Sequence, residues 1–79
     1  MKEKLIKNIG LQLADIRRSK KLDIVDVANS TKINKDTISR YENGNSSMKL
    51  FIIDTLLEYY NITIDIFFKK VYDRMQNDK

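Results

Sequence analysis

The chain has 79 residues, of which 42% are hydrophobic and 33% charged, with no proline, two glycines and a formal net charge of +4. A chain this short holds one core, burying about 60% of its unfolded surface, and without cysteine or histidine it has no disulfides, no thiolate or imidazole metal site and no histidine acid–base chemistry. No apolar run approaches the ~18 residues of a membrane span, and no signal-peptide core follows MKEKLIKN, so a cytoplasmic protein is expected.

Apolar spacing of the 3.6 type predicts an all-α fold of five helices joined by short turns. In the first, Leu5, Ile9, Leu13 and Ile16 form one stripe. Gly10 inside it weakens the helix by about 1 kcal/mol relative to alanine, so the start falls anywhere from Lys2 to Ile9, and residues 1–8 are either a basic extension or the first turns of the helix. Asp23, answered by Asp26, caps a second helix over 24–30 with Val27 and Ala28 facing inward. Asn34 caps a third over 35–42, and Asn43-Gly44 provides a left-handed stop. A fourth helix over 48–60 presents Leu50, Ile53, Leu57 and Tyr60, with Asn61 as its left-handed cap. Thr63 caps a fifth over 64–75, leaving 76–79 as a polar tail, so residues 9–75 make up a single domain.

The positive charge is uneven. Residues 17–42 carry net +3, whereas residues 43–79 are balanced, as expected if the first half meets a polyanion. Two short helices joined by a tight turn within a small basic all-α domain describe a helix-turn-helix. Ile33 would plug the turn, and Ile38 and Tyr41 would turn one face of the third helix into the core. Rotation then directs Lys35, Asp36, Ser39 and Arg40 outward, on a face that fits a DNA major groove. Asp36 has a second role open to it, as a carboxylate stabilised by the N-terminal dipole of its own helix.

The segment DIVDVANSTKINKDTISRYENG, Asp23 to Gly44, resembles the helix-turn-helix of the phage-repressor and Cro family, also called xenobiotic-response-element-like regulators. Its most specific part is Ile38 to Gly44, and the resemblance extends over about residues 9 to 68, taking in Ile9-Gly10, Ile16-Arg17 and Asn61 to Phe68. It implies a lambda-repressor-like domain that binds double-stranded DNA as a transcriptional regulator, expected to be a repressor. Lys35, Asp36, Ser39 and Arg40 would read bases, while Asn34, Asn43, Asn45, Ser46 and Ser47 would contact phosphates. Arg17 and Glu42 match an ion pair between the first helix and the end of the recognition helix. The sequence departs from the family pattern at Ile24, where a phosphate-bonding glutamine is common, and at Lys32, which replaces the turn glycine and is expected to meet a positive φ.

Phe51, Ile52, Phe68, Val71, Tyr72 and Met75 exceed what so small a core can cover. They are candidates for a homodimer interface, which would suit an inverted repeat; the alternative is that the fifth helix folds back over the first. A competing function is a protein-interaction module, such as an antirepressor or a regulator subunit, that keeps the fold without reading DNA. Neither a cofactor nor a metal is implied, and an enzyme is not expected.

Overall fold

The computed structural model describes residues 2–45 and 47–77. Its five helices are α1 (Lys2–Ser19), α2 (Ile24–Thr31), α3 (Lys35–Glu42), α4 (Leu50–Tyr60) and α5 (Ile64–Asn77). Most of the region left open as an extension, from Lys2 onward, therefore belongs to α1. α1 is the spine of the fold, packing against α3 on one side and α5 on the other, while α2 rests on α3 and α4. The core gathers Ile9, Leu13 and Ile16 from α1, Val27, Ile33, Ile38 and Tyr41 from the middle segment, and Ile53, Leu56, Leu57, Tyr60, Phe67 and Val71 from the last two helices.

The local chemistry accounts for most of the boundaries. The Asn34 side chain accepts from the Asp36 N–H at 2.7 Å and opens α3, as expected of an N-cap. Asp23 sits extended before α2 but makes no side-chain cap bond; only its carbonyl closes the first turn, accepting from Val27 at 3.2 Å. Gly44, at φ 67°, and Asn61, at φ 61°, supply the left-handed stops after α3 and α4. Lys32 takes the same conformation at φ 64°, and its N–H donates to the Ala28 carbonyl at 2.9 Å. At the start of α5 the Thr63 hydroxyl bonds Asp65 and holds that carboxyl below its ordinary value, while the Thr63 carbonyl accepts from Phe67.

Four expectations are corrected. α5 runs on to Asn77, so Gln76 and Asn77 belong to the helix and not to a polar tail. α4 begins at Leu50, not at residue 48, and its inward stripe is Ile53, Leu56, Leu57 and Tyr60; Leu50, a turn ahead of that stripe and beyond the edge of the core, is 62% exposed. Leu5 is exposed as well, lining an open groove with Met48 and Leu50 at the edge of the core; among the described residues the α1 face is completed by two buried polar side chains, Asn8 and Gln12. Val71 is not a surface residue: α5 folds back over α1, and Val71 is only 1% exposed beneath that contact. The Arg74 guanidinium secures the contact, donating to the Gln12 side-chain oxygen at 2.8 Å and pairing with Asp15.

Candidate nucleic-acid interface

α3 is anchored on one side and open on the other. Ile38 and Tyr41 are buried in the core, whereas Lys35, Asp36 and Arg40 are exposed and Ser39 is half-buried. The four side chains expected to face a groove thus lie on the outer surface of a helix that cannot rotate without exposing its inner face. The Asn43 amide approaches the Ser39 hydroxyl at 3.5 Å, at the far end of this surface.

The end of α3 is fixed by contacts from distant parts of the chain. The Arg17 Nε donates to one Glu42 carboxylate oxygen at 2.8 Å and Nη2 to the other at 3.0 Å, a two-point clamp between α1 and the last residue of α3. The remaining Arg17 nitrogen donates to the Leu22 carbonyl at 2.8 Å, so one guanidinium satisfies the turn before α2 as well as the end of α3. The bond to Glu42 raises the Arg17 pKa further above its ordinary value. Beside this pair lies Tyr60, whose buried hydroxyl finds no hydrogen-bond partner among the described residues; burial pushes its pKa up to about 12.

Gly10 has a role that spacing along the sequence does not reveal. A Cβ at this position would overlap the Tyr41 carbonyl oxygen and come within 2.8 Å of that of Glu42. The missing side chain lets α1 lie directly against the last carbonyls of α3.

The loop after α3 is held at both ends. The Asn45 N–H donates to the Arg40 carbonyl at 3.0 Å and the Gly44 N–H to that of Tyr41 at 3.1 Å, while the Tyr41 hydroxyl accepts from the Lys49 N–H at 2.8 Å. Asn43, Asn45 and Ser47 are exposed on this loop; Ser46 lies outside the described residues. Asn34 is exposed at the opposite end of α3, where its side-chain oxygen is committed to the cap. Asn34 on one side and Asn43, Asn45 and Ser47 on the other therefore flank the helix that carries the expected base contacts. Among the described residues no cluster of acidic side chains could hold a metal ion.

Of the candidates for a partner surface, Phe51 is 75% and Tyr72 60% exposed, whereas Ile52, Phe68 and Met75 are partly covered by the core. Ile66, which belongs to the same apolar surplus, is 52% exposed, and Leu50 adds exposed apolar area although the sequence places it in the core stripe.

The fold is similar to that of the restriction-modification controller protein C.Esp1396I, solved as a tetramer in complex with its natural 35 base-pair operator. The TM-score is 0.83, over 91% of this chain and 95% of that one; at 15% identity, the likeness is one of fold alone. Antitoxin PezA of Streptococcus pneumoniae serotype 4 (strain ATCC BAA-334 / TIGR4) is 32% identical over 59 residues, which amount to 73% of this chain and 37% of that protein's length. Residues 8–65 match the family described as Helix-turn-helix domain. That span contains both short helices, the turn at Lys32 and the exposed face of α3, and the chain belongs to the helix-turn-helix domain family.

Proposed function

We propose that the protein binds double-stranded DNA sequence-specifically as a small transcriptional regulator, with α3 lying in the major groove. The observation that carries this is the outward display of Lys35, Asp36, Ser39 and Arg40 on a helix whose inner face and C-terminal end are both locked. Lys35 and Arg40 suit guanine O6 and N7, Ser39 is adaptable, and Asp36 can accept from a cytosine amino group. Asn34, Asn43, Asn45 and Ser47 would fix the register on the phosphates, together with Ser46. The DNA-bound controller of the same fold supports the reading. Repression, by occupying an operator, is the simplest mode for a domain of this kind, and its place of action is the cytoplasm. Catalysis forms no part of the proposal, and no cofactor is needed.

The expected assembly is a homodimer on an inverted repeat, with Phe51 and Tyr72 on the surface that meets the second copy. The test is repeated selection from a random duplex pool at near-physiological salt. Enrichment of an inverted repeat with half-sites roughly 34 Å apart is the expected result; absence of any enriched sequence overturns it.

The exposed Phe51 and the antitoxin relative favour a second reading, a module that binds a protein partner without reading DNA. The two differ in their response to salt. Duplex binding through phosphates weakens steeply as salt rises, and a protein-only module shows no such binding to lose.

A further inference from the structure

The two ends of α2 differ in charge. Its N-terminal end carries the exposed carboxylates of Asp23 and Asp26, and Ile24 between them packs against the core, so this end repels a phosphate. Its C-terminal end opens onto a hollow of about 440 Å³ between α2 and the start of α3. Val25, Ala28 and Ile33 give the hollow apolar walls, and its polar groups come from Asn29, Lys32, Asn34 and Lys35, with no carboxylate among the lining residues. The backbone at Lys32 supplies a separate observation: at φ 64° glycine would fit without strain, yet the position holds a lysine.

We propose that this hollow seats a backbone phosphate of the duplex, with Lys32 supplying the charge and Asn29 an amide donor. The inference rests on the DNA-binding reading above and assigns to it two residues that the reading does not otherwise use. Lys35 borders the hollow and also belongs to the outward face of α3, so the hollow lies beside the groove that α3 would enter. The phosphate chain flanking that groove then passes within side-chain reach of Lys32. Asn34, its oxygen held by the cap, has its amide nitrogen left to donate to the same chain. Such a contact carries charge but no sequence information, so it acts equally on every duplex.

The test compares wild type with Lys32→Gly, Lys32→Arg and Asn29→Ala on a duplex of random sequence across a salt series, with thermal melting of each free protein. Lys32→Gly relieves the backbone and removes the charge. It is expected to melt at or above the wild-type temperature while losing affinity several-fold, with the slope of log K against log salt reduced by about 1. Lys32→Arg should restore the slope, and Asn29→Ala should weaken binding with little change in slope. Unchanged affinity and slope in Lys32→Gly overturn the phosphate seat and leave DNA binding standing. Saturation of the Asn29 and Lys32 amide signals by micromolar inorganic phosphate makes the hollow a free-anion site and overturns the assignment. Failure of the wild type to bind duplex overturns both readings.

Discussion

Arg40 is exposed on the outer face of α3, one residue before the buried Tyr41, so its side chain can be removed without disturbing the core. Arg40→Ala should therefore cost about 1–3 kcal/mol on the selected duplex and much less on random duplex, measured as paired dissociation constants. Equal losses on the two would make Arg40 a phosphate contact. Tyr60 presents the opposite situation, a buried hydroxyl that makes no hydrogen bond among the described residues. With its pKa raised from 10.0 to about 12, the folded state keeps this proton longer than the unfolded chain does. The stability that Tyr60 contributes is thus whole below pH 10 and is lost as pH rises from 10 through about 12. Urea unfolding should show Tyr60→Phe as stable as wild type at neutral pH and less sensitive to pH across that window; identical alkaline losses would locate the sensitivity elsewhere.

At the scale of the element, α1 owes its position to an absent side chain. Alanine at residue 10 would improve helix propensity by about 1 kcal/mol, but its Cβ would collide with backbone carbonyls of α3, which cannot swing aside as the tip of a side chain can. Gly10→Ala should therefore destabilise the domain by about 1–3 kcal/mol, seen as a lower midpoint in thermal melting; a raised midpoint would mean that α1 can shift away from α3. This contact could not be read from the sequence, because it joins residues 10 and 41, and spacing along one helix carries no record of what another helix brings near. The same limit hid Val71, whose cover comes from α1, and Gln12, whose partner Arg74 lies 62 residues away. In α4 the failure was one of ambiguity. The run LFIIDTLLEYY is apolar at eight of its eleven positions, so spacing alone does not say whether the shared stripe of Ile53, Leu57 and Tyr60 is completed by Leu50 or by Leu56, and only packing chose. α3 was legible to the residue because its signals are local: a capping asparagine, a glycine stop and a single apolar face. The left-handed Lys32 was legible as well, since the resemblance placed it where a glycine is usual. Base reading by the outward residues was a matter of chemical type alone, and their exposure agrees with it without testing it.

The described residues span 35 × 22 × 21 Å, and each copy would offer a single α3 face to the duplex. Half-sites roughly 34 Å apart would then require two copies held in fixed relation. Phe51, Leu50, Ile66 and Tyr72 supply apolar surface that a monomer leaves in water. Phe51→Glu should leave the melting of the isolated fold nearly unchanged, since the side chain is 75% exposed, yet reduce the mass seen by sedimentation to that of one chain. An unaltered mass would remove Phe51 from the interface.

The three-way grip of Arg17 bears on how this domain comes apart. The same guanidinium closes the turn after α1 and ties down the last residue of α3, so neither end can fray alone without breaking bonds that serve the other. The final turn of α3 is thereby tied to α1 and to the turn before α2, although it borders an exposed loop. Its backbone amides should therefore exchange no faster than those of α1 in hydrogen-exchange measurements, and the exposed face of α3 would meet a target already in shape, with little ordering left to do on contact.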